Sequence, residues 1–525
     1  MVSLERGLLR PEAYPQPPGR IELVQTHLSL VFLTENGLAY KVKKPVSFGF
    51  VDYTTLERRR YFCRREVELN RRLCPEVYLG VAAILVNSEG QVQVTGPEAL
   101  PRGMVLDYAV VMRRLPAGRM MDVLLARGLV TEEMVAQIAH RLARFHSTAQ
   151  TNDQIAAYGH PEAIRFNWEE NFEQTDRFRG ATLPAQWLDD VRAYVERFLQ
   201  ARQPLLLERM ERGRVRDGHG DLHSANICLA DDLYIYDCIE FNERFRYLDV
   251  ASDVAFLAMD LDFYRRPDLS RAFSETYIRE SGDEEVAILL PFYKCYRAYV
   301  RGKVESFQRD SPGLPAEARE RAQRRAERYF GLAHSYSRAL KRPTIVITVG
   351  LIGTGKSTLA RALAHRLGMA VVSSDEVRKR LQGLAPSERR LEGFRQGIYG
   401  AEASRLTYQE MFRQARELLA AGRSLVLDAS FRKAEERAGA LELARTVGAD
   451  FWAVECMAPE DVVRERLERR AREWPDASDA RWELFPQIRD DFEPAHDIPP
   501  ESHLVVDCSG LVGEALDTAV SAITD

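Results

Sequence analysis

Two stretches of the sequence combine side chains that could do chemistry on phosphates. The first, HGDLHSAN, places Asp221 five residues before Asn226, so that a carboxylate can accept a hydroxyl proton while an amide oxygen holds Mg²⁺. The second, GLIGTGKS, runs from Gly350 to Ser357 and fits the pattern GxxxxGK[ST] between an apolar run and a helical run. Each stretch by itself predicts a nucleotide site.

The second stretch predicts a phosphate-binding loop. Its glycines allow backbone N–H groups to point at phosphate oxygens, and the N-terminus of the following helix adds partial positive charge. We expect Lys356 to reach the β- and γ-phosphates of ATP and the Ser357 hydroxyl to bind Mg²⁺. The residues expected to contact ATP in this loop are Gly350, Gly353, Thr354, Gly355, Lys356, Ser357 and Thr358.

Two carboxylates later in the chain complete this second site. Asp428 ends the apolar run SLVLD, and we expect it to bind the metal or its water, although an aspartate there can also be only a cap. Asp375 follows the run MAVVSSD, at the edge where parallel sheets bind ligands. We expect Asp375 to activate an acceptor hydroxyl and Arg378 to hold an anion nearby; the alternative is that Asp375 caps a helix.

An arginine-rich stretch, DVVRERLERRAREW, follows the fourth apolar run of this region. Such a segment can bring cations onto a transferring phosphoryl group. It can equally be a solvated helix face. The candidates for contact with ATP are Arg466, Arg469 and Arg470.

Apolar runs and helical runs alternate throughout the last third of the chain. The runs TIVITVG, MAVVSSD, SLVLDAS, DFWAVECM and HLVVDCS read as strands, each followed by a helical pattern. This rhythm is typical of parallel sheets covered by helices. It predicts an α/β three-layer P-loop NTPase domain with a mostly parallel sheet over residues 343–525.

The first part of the chain predicts a different architecture. From Ile21 the pattern alternates, with Asn36-Gly37 as a hairpin signal for a type I′ turn. A helical stretch and two more strand-like runs follow, so we expect five strands with a helix after the third. From about Thr131 the pattern is mostly helical. This predicts a kinase domain over 21–310, with a small lobe about 21–115 and a helical large lobe about 116–310, after an N-terminal extension 1–20 and before a helical linker 311–342.

The motif HGDLHSAN, with Gly in place of the Arg of protein kinases, resembles the superfamily of aminoglycoside phosphotransferases, choline kinases and fructosamine kinases. The resemblance covers roughly residues 20–305 and implies an α+β, protein-kinase-like bilobal fold that uses ATP and Mg²⁺. It implies that Asp221 is the catalytic base and that Asn226 and Asp237 bind the metal. Asp253 matches the aspartate that braces the catalytic loop in this superfamily.

The same resemblance implies a lysine on the third strand that pairs with a helix glutamate. Lys41 and Glu66 are the expected pair for ATP binding, and Lys43, on the same face of the strand, remains an alternative. The chain departs from protein kinases in lacking a glycine-rich cover between the first two strands and in having Asp-Cys-Ile instead of DFG. These departures leave the substrate preference and the ATP affinity open.

The C-terminal part resembles the small P-loop kinases, including gluconate kinase, polynucleotide kinase and zeta-toxin relatives. Its Asp375-x-x-Arg378 is most similar to the polynucleotide kinase group, in which the aspartate activates a hydroxyl. The order of the two domains resembles a bacterial family that joins an aminoglycoside phosphotransferase-like domain to an AAA-type ATPase domain.

Both motifs together predict a bifunctional ATP-dependent phosphotransferase acting on hydroxyl acceptors. Two alternatives stay open: one catalytic domain with a nucleotide-dependent regulatory or substrate-presenting module, and a polynucleotide 5′-hydroxyl kinase that acts on a nucleic-acid end. A net charge of −5 argues against a general polyanion binder. The 7 scattered cysteines predict no zinc site or disulfide framework, and the absence of a signal-like or membrane-spanning run predicts a cytoplasmic protein. The oligomeric state is not predicted.

Overall fold

The structure is a computed structural model that describes residues 4–311, 313–338, 343–385, 393, 395–472, 481–510 and 512–524. Contacts within the chain divide it into two compact units, Met1–His334 and Ser335–Asp525.

The first unit is built on an antiparallel sheet of 6 strands in the order β1-β2-β3-β8-β6-β7. A small hairpin, β4–β5, follows β3, and two further two-stranded ladders, β10–β11 and β9–β12, lie later in the chain. The strands are β1 (Ile21–Gln25), β2 (Ser29–Thr34), β3 (Leu38–Lys43), β4 (Ser47–Phe48), β5 (Val51–Asp52), β6 (Tyr78–Val86), β7 (Val92–Val94), β8 (Met104–Arg113), β9 (Val215–Asp217), β10 (Ile227–Leu229), β11 (Leu233–Ile235) and β12 (Tyr247–Asp249).

The five strands expected from the alternating pattern are present and antiparallel. The expected count was too low, because β7 and the hairpin β4–β5 also form. Their strands are only 3 and 2 residues long. An alternation of period two is not recognisable over so few residues.

The turn at Asn36-Gly37 differs from the expectation. The hairpin is present, with Leu33 paired to Ala39, but only Gly37 has positive φ, at 83°. A type I′ turn would require positive φ at both residues, so that prediction was wrong. The loop has three residues instead of two, because β2 ends at Thr34 and β3 begins at Leu38. Such a loop ends in a left-handed glycine, here Gly37. Thr34 Oγ1 donates a hydrogen bond to the Leu38 carbonyl at 2.7 Å across it.

Helices cover this sheet and form the rest of the first unit. Helix α2 begins after Thr55, whose side chain accepts a hydrogen bond from the Arg58 N–H, and it packs Cys63 and Val67 against β6 and β8. The helices are α1 (Leu4–Leu8), α2 (Leu56–Asn70), α3 (Met121–Ala126), α4 (Glu132–Thr148), α5 (Asp153–Ala156), α6 (Pro161–Thr175), α7 (Ala185–Glu211), α8 (Glu243–Arg246), α9 (Val250–Phe263), α10 (Pro267–Ser281) and α11 (Val286–Arg309).

The segments expected as an extension and a linker both carry buried residues. Leu8 and Tyr14 belong to the apolar core on one face of the sheet, beside Phe32. In the stretch 311–342, helix α12 (Ala316–Ser337) packs on the first unit, where the Tyr329 ring stacks on Phe263 with centroids 3.9 Å apart. Most of α12 therefore belongs to the first unit.

The second unit is a parallel sheet of 5 strands in the order β14-β15-β13-β16-β17. All five strands that the apolar runs predicted are present in it. They are β13 (Thr344–Val349), β14 (Ala370–Ser373), β15 (Leu425–Asp428), β16 (Asp450–Met457) and β17 (His503–Asp507). The carboxyl ends of β13, β14 and β15 form the edge at which the phosphate loop and both candidate carboxylates lie.

Helices cover both faces of this parallel sheet, which completes the three layers. One face packs against α13 and α19, and the other packs against α14, α15 and α16. Alternate strand residues serve the two cores; Ile345 faces one and Val346 faces the other. The helices are α13 (Lys356–Leu367), α14 (Ser374–Leu381), α15 (Ala401–Ala420), α16 (Ala434–Val447), α17 (Glu460–Arg472), α18 (Phe485–Asp490) and α19 (Val512–Thr524).

Candidate active sites

In the first unit, Asp221 lies in the loop that joins β9 to β10. The Asn226 side-chain amide donates to the Asp221 carbonyl at 3.0 Å and to its carboxylate Oδ2 at 3.1 Å. His223 Nε2 lies 3.4 Å from the same oxygen. The five-residue spacing of the motif therefore brings Asp221 and Asn226 into direct contact, and the Asp221 side chain remains partly exposed.

Burial raises the pKa of the Asp221 carboxyl, but the neighbouring His223 and Arg301 outweigh it and hold that pKa below its usual range. Asp221 is therefore ionised at neutral pH. An ionised carboxylate can accept a hydrogen bond from a hydroxyl group and orient it.

Asp253, at the start of α9, braces this loop as the resemblance implied. Its two oxygens accept hydrogen bonds from the backbone N–H groups of His219 at 2.7 Å and Gly220 at 2.9 Å. Gly220 has φ of 82°, and a Cβ there would lie 2.6 Å from the Phe245 carbonyl oxygen. This close approach explains why the motif has glycine where protein kinases have arginine.

Lys41 on β3 lies between two carboxylates from distant parts of the chain. Its Nζ is 2.8 Å from Glu66 Oε1 and 2.6 Å from Asp237 Oδ1. Asp237 has φ of 62°, a left-handed conformation that is uncommon for a residue other than glycine and that often marks a functional site. The predicted residues Lys41, Glu66 and Asp237 are thus brought together, and the Asp237 side chain is 40% exposed.

Lys43, the alternative to Lys41, is buried and paired differently. Its Nζ is 2.7 Å from Glu66 Oε2 and also pairs with Glu240, whose carboxylate accepts a hydrogen bond from the Tyr53 hydroxyl at 2.6 Å. Burial raises the pKa of Glu66, but Lys41 and Lys43 outweigh it and lower that pKa to about 2. Lys43 thus neutralises buried carboxylates, whereas Lys41 reaches the exposed edge of the site.

The donor atoms at this site suit Mg²⁺. Because the Asn226 N–H₂ group is committed to Asp221, its amide oxygen is the atom left to bind a metal, and Asp237 offers an exposed carboxylate. Both are hard oxygen ligands, the type that Mg²⁺ takes in small number alongside phosphate oxygens. Within the described ranges there is no group of three or more His, Cys, Asp or Glu side chains that could hold a metal alone.

In the second unit, the loop from Gly350 to Ser357 wraps closely around the end of β13. Gly350 has φ of 137°, and a Cβ there would lie 2.7 Å from the Cys456 carbonyl oxygen, so only glycine fits. The Lys356 Nζ donates to the Leu351 carbonyl at 2.6 Å, and so does the Thr354 hydroxyl at 2.9 Å. The Lys356 side chain thus lies over the phosphate loop. Thr358, on the first turn of α13, is exposed.

Ser357 and Asp428 meet at the carboxyl end of the sheet. The Ser357 hydroxyl donates to Asp428 Oδ1 at 3.1 Å. Burial raises the pKa of the Asp428 carboxyl, and the Ser357 hydrogen bond and the nearby Lys356 charge offset only part of this effect. A hydroxyl and a carboxylate side by side are oxygen donors that fit Mg²⁺.

Asp375 and Arg378 lie one turn apart on α14. Arg378 Nη1 is 3.2 Å from Asp375 Oδ1, and its guanidinium lies 4.8 Å from the centre of the Tyr399 ring. Arg378 is 9% exposed, and its buried Nε has no hydrogen-bond partner within the described residues. The two predicted residues form a pair, and one buried N–H group is left for a further acceptor.

The three candidate arginines of α17 differ in position. Arg466 Nη2 donates to the Cys508 carbonyl at 2.7 Å and to the Ser509 carbonyl at 3.1 Å. Its buried Nη1 has no hydrogen-bond partner in the described part of the chain and lies 3.6 Å from where a Cβ of Gly355 would be. Arg466 therefore faces the phosphate loop, Arg469 is exposed, and the side chain of Arg470 lies outside the described residues.

Sequence reasoning missed several residues around the first site. Arg301 on α11 lowers the pKa of Asp221, and Glu240 and Tyr53 surround Lys43. Arg72, two residues after the end of α2, donates to the Gly218 carbonyl at 2.9 Å and so connects this part of the chain to the catalytic loop. None of these residues lies in a recognisable motif, and only their contacts with motif residues identify them.

Comparisons with known proteins agree with this division of the chain. A model of the phosphotransferase enzyme family matches residues 54–289, and a model of an AAA domain matches residues 345–495. The uncharacterized protein Rv2004c of Mycobacterium tuberculosis (strain ATCC 25618 / H37Rv) is 35% identical over 454 residues, which is 86% of each chain. The uncharacterized protein Mb2027c of Mycobacterium bovis has the same identity and coverage.

A solved structure is also similar to part of the chain. The gluconokinase from Sinorhizobium meliloti 1021 is 18% identical and covers 34% of this chain and 91% of its own, with a TM-score of 0.25.

The two units therefore define a protein in which a phosphotransferase-family domain precedes a P-loop AAA domain, a combination that points to a kinase-type enzyme. The chain belongs to the bacterial family that includes the mycobacterial protein Rv2004c. Among the described residues, no helix is long and apolar enough to cross a membrane.

Proposed function

We propose that the protein is a bifunctional ATP-dependent phosphotransferase in which each unit transfers the γ-phosphoryl group of ATP to a hydroxyl group. One observation carries the proposal. In both units, the side chains that phosphoryl transfer needs are present, and they form contacting groups: Asp221 with Asn226 and Lys41 with Glu66 and Asp237 in the first unit, and Ser357 with Asp428 and Asp375 with Arg378 in the second. A unit that only regulated its neighbour would not need a complete set.

In the first unit, we assign the sheet region to the small lobe and the helical region to the large lobe of a bilobal kinase. Lys41 binds the α- and β-phosphates and is oriented by Glu66. Asn226 and Asp237 hold Mg²⁺, which when bound neutralises phosphate charge. Asp221 orients the acceptor hydroxyl and takes its proton. This assignment is supported by the 2.6 Å contact of Lys41 with Asp237 and by the contact of Asp221 with Asn226.

In the second unit, Lys356 and the backbone of the phosphate loop bind the β- and γ-phosphates. Ser357 and Asp428 hold Mg²⁺, and Arg466 adds a cation at the loop. Asp375 activates the acceptor hydroxyl. The 3.1 Å contact between Ser357 and Asp428 supports this assignment.

A narrower candidate for the second unit is a polynucleotide 5′-hydroxyl kinase. The observation that favours it is the unpartnered, buried Nε of Arg378 beside Asp375, since an acceptor with a phosphate group would supply the missing partner. Labelled ATP with 5′-hydroxyl oligonucleotides tests this candidate. Absence of transfer to every oligonucleotide would rule it out and leave small hydroxyl compounds.

The two-site proposal is tested by silencing one site at a time in the full chain. Asp221→Ala should abolish the transfer that belongs to the first unit, and Lys356→Ala should abolish the transfer that belongs to the second. ATP consumption and acceptor labelling are measured for both variants. Asp231→Ala, in an exposed turn between β10 and β11, is the matched control. If one variant loses all activity while the other is unchanged, only one unit is catalytic.

A further inference from the structure

The hairpin β4–β5 presents large apolar side chains to solvent. Phe48, at the end of β4, is 43% exposed, and Phe50, in the turn between β4 and β5, is 42% exposed. Clustered apolar side chains at a protein surface mark binding sites more often than single ones do. The hairpin has no role in the phosphotransfer contacts described above.

The hairpin forms one surface with the segment that follows Asp237. The Phe50 ring lies 5.9 Å from Phe241 and 6.4 Å from Phe245, and Phe48 stacks on Phe50 at 6.2 Å. The Asn242 side chain donates a hydrogen bond to the Phe50 carbonyl at 3.2 Å, which ties the two segments together. We name Phe48, Phe50, Phe241 and Phe245 the phenylalanine patch.

This patch adjoins the catalytic loop of the first unit. The Phe245 carbonyl oxygen packs so tightly on Gly220 that a Cβ there would lie 2.6 Å away. The Ile239 N–H donates to the His219 carbonyl at 3.1 Å, so the segment that bears the patch is also bonded to the loop. Gly220 immediately precedes Asp221. The segment that bears the patch is therefore in contact with the residues that precede the proposed base.

An arginine already lies over the rings beside the patch. The Arg244 guanidinium lies 4.9 Å from the centre of the Phe245 ring and 5.1 Å from that of Phe166, so it occupies the position that a cationic ligand would take over these rings. Arg297 Nη1 donates to the Gly220 carbonyl at 2.9 Å, which places a second cation at the loop. Glu170 is already paired with Arg244 at 2.7 Å.

We propose, on the basis of the phosphotransfer function above, that the acceptor of the first unit is a hydroxyl compound bearing an aromatic or extended apolar group, which stacks on the phenylalanine patch. The acceptor oxygen forms a bond to the γ-phosphorus of ATP. The bond from the γ-phosphorus to the β–γ bridging oxygen breaks, and ADP leaves with that electron pair. The hydroxyl proton passes to the Asp221 carboxylate.

The test uses the full chain with Lys356→Ala, so that transfer comes from the first unit. Labelled ATP is supplied with matched acceptors: phenyl and methyl β-glucoside, a nucleoside and ribose, and an aminoglycoside. We expect the aryl member of each pair to be labelled faster than its matched sugar. Phe50→Ala should lower kcat/KM for the aryl compounds roughly five- to 150-fold, which is the range for loss of one stacking ring.

Two further variants separate stacking from folding. Phe50→Leu keeps an apolar side chain without a planar ring and should lower the ratio of aryl to methyl transfer while the unfolding temperature stays that of the parent chain. Tyr61→Ala removes an aromatic residue that is 57% exposed elsewhere on the unit and should change neither rate nor selectivity.

Several results would overturn the inference. These are faster transfer to the aminoglycoside or to the methyl compound, unchanged selectivity in Phe50→Ala, a rise only in KM for ATP, or no aryl labelling while ATP hydrolysis still depends on Asp221. A different result would mean that the proposed function itself fails. In that case Asp221→Ala would leave ATP turnover intact in the Lys356→Ala chain.

Discussion

The two lysines of β3 should respond in opposite ways to the same substitution. Lys43→Met leaves the buried Glu240 carboxylate without the lysine that contacts it, while Glu66 keeps its contact with Lys41. Lys41→Met leaves Glu66 paired with Lys43 and leaves Asp237 exposed to water. We therefore expect Lys43→Met to destabilise the fold and Lys41→Met to remove ATP binding at the first site.

The magnitude follows from burial. Breaking a buried ion pair by removing one partner costs about 3–5 kcal/mol. The pKa of Glu66 is lowered to about 2 by Lys41 and Lys43 together, so Glu66 still has a favourable charge partner when either lysine is replaced. In Lys41→Met, Glu66 keeps Lys43, and the carboxylate left without a lysine contact is Asp237, which is 40% exposed, so the expected cost is about 1 kcal/mol or less.

Differential scanning calorimetry of the full chain, without nucleotide, measures the first effect, and hydrogen exchange of peptides from β3 and α2 assigns it to the first unit. Nucleotide binding is then measured by titration calorimetry in the Lys356→Ala background. The reasoning is refuted if Lys43→Met unfolds at the temperature of the parent chain. It is also refuted if Lys43→Met loses nucleotide binding while Lys41→Met keeps it.

Three further outcomes are expected. Because the folded-state pKa of Glu66 lies below 4.5, the stabilisation that Glu66 gives the first unit is complete above about pH 4.5 and is lost as the pH falls to about 2. Urea titrations should show a smaller loss of stability over this pH range in Glu66→Gln than in the parent chain. An equally steep loss in both would contradict this expectation. Arg466→Ala should weaken nucleotide binding to the second unit about ten- to a hundred-fold, measured by calorimetric titration in the Lys41→Met chain. The control variant Arg469→Ala, which replaces an exposed arginine, should change the affinity less than about two-fold. Equal effects of the two substitutions would remove Arg466 from the site. Asp375→Asn should lower the kcat of the second unit by about 10²–10⁴ with ATP affinity retained, and a kcat within about ten-fold of the parent would exclude it as the base.

Short-range patterns in the sequence were sufficient for the two nucleotide motifs and for the parallel sheet. The contact of Asp221 with Asn226 follows from five residues of turn, and the geometry around Gly350 follows from the loop that joins one strand to one helix. Strands of 4–8 residues that alternate with helices are also visible in the sequence as apolar runs, and the strands β13 and β15 inside the sheet are buried over their whole length. These features depend on contacts between residues that are close in the sequence, so a local pattern is enough to predict them.

Whether Lys41 or Lys43 reaches the site was decided only by the tertiary structure. The two residues lie on the same face of β3, so periodicity treats them alike. They differ in what lies opposite: Asp237, 196 residues away, for Lys41, and Glu240, 197 residues away, for Lys43. A one-dimensional pattern carries no information about such distant partners. For the same reason the sequence did not identify Arg301 or the phenylalanine patch, and it did not show that Arg466, of the three candidate arginines, faces the phosphate loop.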